Sequence, residues 1–311
     1  MIPIICIEGP TASGKSALAL QLAKKLNTEI ISADSRQVYK YLNIGTAKPD
    51  TNTLQEIKHH LIDIINPNQR YSAGSFMKDA EIIINEIHRQ NKTPIICGGS
   101  MLYIQSLLNG LSEIPDISQD IFQKTDDFIR ENSLTNCYEF LEKIDPKFAR
   151  SITLTDKQRI HRGLSVWFAF QKPITYFWEN QKNISKYKPY KILINKDRNT
   201  LYKQINDRTK SMINQGLIDE IENVLKMGYK KIDYGLTSVG YAEFIDIILN
   251  KDTKNIPKMN ECIELAAQHT RNYAKRQITW YKKNKYDYMI TDDIDVLDEI
   301  SHIIIHDILH H

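Results

Sequence analysis

The sequence predicts an α/β fold, a parallel sheet flanked by helices and interrupted by a mostly helical insertion. Through the first hundred residues, short apolar runs alternate with helical patterns, as parallel strands covered on both faces require. From about Pro115 to residue 185 no strand stands out, and helical periodicity with several aromatic residues takes over. Strand-like runs resume at 191–195 and 286–291. These observations divide the chain into a discontinuous core, 1–115 and 190–311, and a helical insertion, 116–189.

Taken in order, Ile2–Glu8 reads as a buried strand. Residues 16–26 place Ala19, Leu22, Ala23 and Leu26 at helical spacing. Residues 29–33 form a second strand, 61–65 a possible third and 94–97 a fourth, with a helix at Ala73–Arg89 between the last two. Helical patterns at 201–227 and 261–283 lie between the final strands. Within the insertion, Trp167, Phe168 and Phe170 are read as core.

Composition narrows the class. With 41% hydrophobic and 25% charged residues, the 311-residue chain is an ordinary globular protein. There are 47 Ile against 5 Val, and 30 Lys against 11 Arg. Such skews follow drift in genome base content, so a single Lys says little and each Arg is worth locating. Cys6, Cys97, Cys137 and Cys262 form no CxxC pair, which points to buried thiols in a reducing cytoplasm. No signal peptide or membrane span is expected. His302, His306, His310 and His311 have no cysteine near them, and no zinc site is expected there.

Gly9-Pro10-Thr11-Ala12-Ser13-Gly14-Lys15-Ser16 fits G-x-x-x-x-G-K-S/T between a strand and a helix, the context of a phosphate-binding P-loop. The fold is therefore expected to be P-loop NTPase-like. Glycines let backbone N–H groups converge on phosphate oxygens at a helix N-terminus. Lys15 can neutralise a terminal phosphate, and the Ser16 hydroxyl can ligate Mg²⁺. The loop does not say which polyphosphate it holds.

A guanine reader would need N-K-x-D, but Asn195-Lys196-Asp197 continues with Arg198. The strand at 94–97 runs into Gly98-Gly99-Ser100, without the carboxylate a hydrolytic ATPase uses for Mg²⁺. Asp34 stands at a strand end and could be a metal ligand, a general base or a helix cap. Strand carboxyl ends face the ligand crevice in such sheets, so Gly14, Asp34 and Ser100 are expected to meet around one phosphate chain.

Several segments together are distinctive. They are Gly9–Ser16, Asp34-Ser35-Arg36-Gln37-Val38-Tyr39, Ile44-Gly45-Thr46-Ala47-Lys48-Pro49 and His59-His60-Leu61-Ile62-Asp63, followed by Gly98-Gly99-Ser100-Met101-Leu102-Tyr103 and TRNYAKRQITW from Thr270 to Trp280. In this order, over nearly the whole chain, they resemble bacterial tRNA dimethylallyltransferases (the IPP transferase family).

The resemblance implies transfer of a dimethylallyl group from dimethylallyl diphosphate to N6 of adenosine 37, in the anticodon loop of tRNAs reading codons that begin with U. Diphosphate is released, Mg²⁺ is the cofactor, and a cytoplasmic monomer is expected. Asp34 matches the family's catalytic Asp, which would accept an N6 hydrogen bond and then the proton as general base. Ser100 stands where the family usually has Thr, and its hydroxyl would bond the bridging oxygen. Arg208 matches the diphosphate Arg, although it could also be an exposed helix arginine. The tRNA would be read by Asp34, Ser35, Arg36, Gln37 and Ser100, by Gln158, Arg159, Ile160, His161 and Arg162, and by Thr237, Gly240 and Tyr241. Thr270, Arg271, Lys275, Arg276 and Gln277 would complete the set. Phe122 falls where the family commonly has a tRNA-contacting Arg, so that contact is expected to be lost or replaced by stacking. Gln204 and Ala242 also depart from common residues, a basic one at 204.

The formal charge of +3 hides an asymmetry that supports an RNA partner. Residues 265–286 carry six Lys/Arg and no acid, whereas 287–311 carry seven acids and no Lys or Arg. Tyr273, Trp280 and Tyr281 add possible stacking surfaces on the basic helix. The alternatives are a small-molecule kinase, an RNA-binding protein with a regulatory nucleotide site, and a prenyltransferase acting on free adenylate.

Overall fold

The computed structural model describes residues 1–112, 114–179 and 186–291, together with 302, 305 and 306. Most of the acidic tail and the histidines at 310 and 311 therefore lie outside the described residues. Two compact units divide the chain, one of Met1–Asn109 with Ser185–His311 and one of Gly110–Ile184.

The first unit runs β1 (Ile2–Glu8), α1 (Lys15–Lys25), β2 (Ile30–Ser32), α2 (Thr51–Glu56), β3 (His59–His60), α3 (Ala73–Arg89), β4 (Ile95–Gly98) and α4 (Met101–Asn109). The second unit holds α5 (Gln119–Glu131), α6 (Leu134–Ile144), α7 (Pro146–Ala149), α8 (Lys157–Phe170) and α9 (Ile174–Glu179). The chain then returns to the first unit with β5 (Tyr187–Ile194), α10 (Arg198–Asn214), α11 (Leu217–Lys226), α12 (Ala242–Leu249), α13 (Ile256–Tyr281) and β6 (Tyr288–Ile290).

Among the described residues the strands form one sheet in the order β3-β2-β4-β1-β5-β6, with every pair parallel. Alternate side chains explain why both faces are covered. Ile4, Cys6, Ile31 and Ile96 pack against Phe76, Ala80 and Ile84 of α3 and against Ile104 of α4. Their neighbours Ile5, Ile7, Ile30 and Ile95 pack against Leu18, Ala19, Leu22 and Ala23 of α1. Burying a side chain such as Leu18 or Leu22 contributes about 1.5–3 kcal/mol. That anchorage holds the start of α1, and so the loop before it, against the sheet.

The third strand differs from expectation. It lies at His59–His60, paired with Ile30 and Ile31, and not at 61–65. Leu61 (φ 62°) and Asp63 (φ 56°) adopt left-handed backbone, which ends an extended run. Residue 65 makes only an isolated bridge to Tyr39. β5 begins at Tyr187, so the insertion ends before the 189 read from the sequence. The helical pattern at 201–227 splits into α10 and α11 at Gly216, whose φ of 96° no continuous helix allows.

Beyond the sheet, α11, α12 and α13 form a further core from Leu217, Ile221, Phe244, Ile245 and Ala266, packed with Val38, Leu42 and Tyr241. In the helical unit, Cys137, Leu141, Phe148, Ile160 and Leu164 make a separate core on which Phe168 and Phe170 pack. Asp145, 2% exposed, is fully employed there: it accepts from the Phe148 and Thr175 N–H groups and the Thr175 hydroxyl. No described helix is long and apolar enough to cross a membrane.

Candidate active site

The order β2-β4-β1 places three strand ends side by side. The P-loop follows β1, Asp34 follows β2 and Ser100 follows β4, as expected for such a sheet. Their fit is tight. A Cβ on Gly98 would lie 2.0 Å from the Ala33 carbonyl oxygen, so only glycine lets β4 end against β2. One on Gly9 would lie 2.7 Å from Ser13 Oγ and 3.0 Å from the Ile194 carbonyl oxygen. In the loop itself, Ala12 (φ 64°) and Gly14 (φ 95°) are left-handed, and Gly14 caps α1.

A cavity of about 250 Å³ opens among these ends. Lys15, Asp34 and Arg208 line one part of it, and Ile205, Met212, Leu217, Phe244 and Ala266 give it an apolar part. Burial lowers the pKa of Lys15, and the Arg208 guanidinium lowers it further, against the opposing fields of Cys97 and Asp34. Burial also lowers that of Arg208, opposed by Asp34. Two desolvated cations facing one carboxylate favour an anionic ligand, which would relieve their mutual repulsion. The apolar part suits a short hydrocarbon.

Asp34 Oδ1 accepts the Arg36 N–H at 2.8 Å, so it does make a local turn bond. Its carboxylate nonetheless lines the cavity. Ser100 Oγ accepts the Ser35 N–H at 2.8 Å, joining the β4 end to the Asp34 segment. Ser35, Arg36, Gly240, Thr270 and Arg276 also line the cavity, with Arg276 over the Tyr273 ring at 5.6 Å. Lys275 and Thr237 are exposed.

Several expected RNA contacts are otherwise employed. Tyr241 is fully buried, with its hydroxyl donating to Glu220 Oε1 at 2.7 Å. Glu220 also takes the N–H groups of Asn43 and Ile44, both at 2.9 Å, and so holds the start of the Gly45–Pro49 loop. Ile160 is 0% exposed because it belongs to the helical unit's core. The Gln37 amide accepts from Ser32 and donates to the carbonyls of Thr46 and Ala47. Arg271 is paired with Glu264 at 2.7 Å and bonds Asn206. Gln277 is 1% exposed and Tyr281 3%, so neither offers an RNA surface. Gln158 and Arg159 are exposed, the latter near Asp156 at 3.4 Å. His161 stacks on Phe122 (6.0 Å, 9°) and faces Asp126 at 3.2 Å, so an aromatic pair stands where an Arg was common. Arg162 is half-buried in α8.

The sequence reading missed Glu220 as the holder of the Gly45 loop, and Lys48, which donates to the Tyr39 carbonyl at 2.6 Å and to Asn43 Oδ1 at 3.0 Å. It also missed the apolar lining. The spacing of Tyr273, Gln277 and Tyr281 at every fourth residue of α13 was the available signal of a shared inward face.

The IPP transferase family model matches residues 37–284. The chain belongs to the IPP transferase family. Among relatives, the tRNA dimethylallyltransferase of Carboxydothermus hydrogenoformans is 42% identical over 287 residues, covering 90% of this chain and 89% of that protein. The crystal structure of a tRNA isopentenylpyrophosphate transferase from Staphylococcus epidermidis superposes with a TM-score of 0.71 at 34% identity, over 100% of this chain and 99% of that one. A eukaryotic dimethylallyltransferase captured acting on tRNA gives a TM-score of 0.83 at 27% identity, covering 99% of this chain and 79% of that chain. As an IPP transferase, the chain places its P-loop, Asp34 and Arg208 around one cavity with an apolar part, which a phosphate site alone does not need.

Proposed function

We propose that this IPP transferase moves a dimethylallyl group from dimethylallyl diphosphate to N6 of adenosine 37 in the anticodon loop of tRNAs reading codons that begin with U. The observation that carries the reading is the single cavity in which Lys15, Arg208 and Asp34 face an apolar lining. Diphosphate fits the two half-buried, desolvated cations, and a five-carbon tail fits the lining.

The adenine amine is a weak nucleophile because its lone pair is delocalised into the ring. As N6 bonds to the allylic carbon, that carbon's C–O bond breaks and its electron pair leaves with the diphosphate. Asp34 takes the N6 proton, and Lys15 and Arg208 stabilise the charge growing on the leaving group. Mg²⁺ would add to that neutralisation. Ser16, exposed on the first turn of α1 beside Lys15, offers one oxygen donor, and diphosphate oxygens would supply others, a donor set that suits a hard cation. The target base must leave its stack to reach the cavity. In the first unit, exposed Arg36, Lys275 and Arg276 would contact RNA phosphates. The helical unit, taken by itself, offers Gln158, Arg159 and Arg162 for polar contact and the Phe122–His161 pair for stacking.

The test is incubation with Mg²⁺, dimethylallyl diphosphate and an unmodified tRNA reading UNN codons, followed by mass analysis of the RNA. One dimethylallyl group should be gained on the adenosine 3′ of the anticodon. Transfer to free AMP, or phosphoryl transfer from ATP with no change in the tRNA, would sink the proposal. Asp34→Ala should lower the rate by about 10²–10⁴ while retaining tRNA binding.

A further inference from the structure

Helix α13 turns one face to the loops of the donor site. Tyr281 donates to the Gly9 carbonyl at 3.2 Å and Tyr273 to the Gly99 carbonyl at 3.2 Å. Between them, the Gln277 side chain bonds both loops at once. Its Oε1 accepts the Thr11 N–H at 2.9 Å, and its Nε2 donates to the Gly99 carbonyl at 2.8 Å. The residue is 1% exposed, so its amide is committed to these two bonds. Gly99 is shaped to receive it, since a Cβ there would stand 2.5 Å from Gln277 Nε2.

The two loops carry opposite halves of the reaction. Thr11 belongs to the P-loop. Gly99 precedes Ser100, whose hydroxyl holds the Ser35 N–H next to Asp34. An amide is the side chain that suits the gap, because it must accept from a backbone N–H on one side and donate to a carbonyl on the other. Without Gln277 the Gly99 carbonyl would keep only the Tyr273 hydroxyl as a side-chain donor, and the Thr11 N–H would lose its acceptor.

We infer that Gln277 is a positioning residue that sets the spacing between the diphosphate loop and Asp34, and not a contact for tRNA. This rests on the proposed prenyl transfer only for its rate readout. The diphosphate half can be read without RNA.

The experiment compares Gln277→Leu and Gln277→Glu with the unmodified protein. Inorganic pyrophosphate binding is measured by calorimetry, tRNA binding by filter retention, and transfer by single-turnover kinetics from pH 6 to 8. With both hydrogen bonds gone, Gln277→Leu should bind pyrophosphate about tenfold more weakly. Its transfer should slow by about 10–100-fold, since misplacement by about an ångström has effects of that size. Its tRNA affinity should stay within about twofold, which also reports that the variant is folded.

Gln277→Glu supplies a signature that loss of packing would not. A protonated carboxyl keeps both bonds, whereas the ionised form keeps only the Thr11 bond and opposes the Gly99 carbonyl. Its activity relative to the unmodified protein should therefore rise as pH falls from about 8 to 6, burial having raised its pKa. Lys15, Asp34, Arg36, Arg208, Tyr273 and Arg276 line the same cavity in both proteins, so the ratio cancels their titration to first order. A flat ratio overturns the inference. So does tRNA affinity that falls fivefold or more while pyrophosphate binding is unchanged. If the unmodified protein transfers nothing to tRNA, the proposed function fails while the pyrophosphate comparison still decides the role of Gln277.

Discussion

Replacing Tyr241 by Phe removes one hydroxyl and nothing else. In the structure that hydroxyl donates to Glu220 Oε1 at 2.7 Å from a ring that is 0% exposed. Burial, with the Glu220 carboxylate beside it, raises the phenol pKa, so the hydroxyl stays protonated and donating. A hydrogen bond to a charged group contributes about 1.5–3 kcal/mol to stability. The ring keeps its packing in the variant, so no cavity term is added. With a urea slope near 3 kcal/mol per molar, the unfolding midpoint should fall by about 0.5–1 M. The measurement is urea unfolding followed by circular dichroism, paired with tRNA binding. If Tyr241 were an RNA contact the pattern would invert. A midpoint within about 0.1 M of the unmodified protein, with tRNA affinity weakened several-fold, would refute the assignment of Tyr241 to the core.

Two further outcomes follow from close contacts in the first unit. Gly98→Ala forces a methyl group to within 2.0 Å of the Ala33 carbonyl oxygen. Backbone must then shift, and stability should drop by about 1–3 kcal/mol or more, with transfer falling further than tRNA binding because Asp34 and Ser100 sit beside the clash. A second outcome concerns Glu8, which is buried with Oε1 lacking a hydrogen-bond partner and Lys191 at 3.9 Å. Burial raises its pKa above the usual 4.5, with Lys191 and Tyr286 opposing. A raised folded-state pKa means its contribution to stability is present below 4.5 and is lost as pH rises through the folded value. The thermal midpoint of Glu8→Gln should therefore gain on that of the unmodified protein between about pH 4 and 8. A difference that stays constant or shrinks over that range would contradict the buried, costly carboxylate.

Much of the architecture is set by local pattern. β1, α3 and β4 are legible because alternating or helical apolar spacing reflects burial directly. The P-loop needs only contiguous residues, and so does the assignment of Asp34 and Ser100 to strand ends. The third strand was less legible. Two residues pair there, and the left-handed turns at Leu61 and Asp63 displace it from the apolar run that suggested it.

The sequence by itself determined which residues are chemically able to bind diphosphate and take a proton, since that depends on residue type and on adjacency along the chain. Tertiary structure alone decided which members of a motif face the ligand and which face the protein. Arg276 and Gln277 are neighbours in one motif and both border the cavity, yet the first is exposed while the second is buried with its amide bonded to two loops. Adjacent residues on a helix point about 100° apart, so a motif cannot present all its side chains to one partner. Pairings such as Gln277 with Thr11, or Tyr241 with Glu220, join residues far apart in sequence. They exist only because packing of α11, α12 and α13 against the sheet's loops brings donors to acceptors that must not be buried alone.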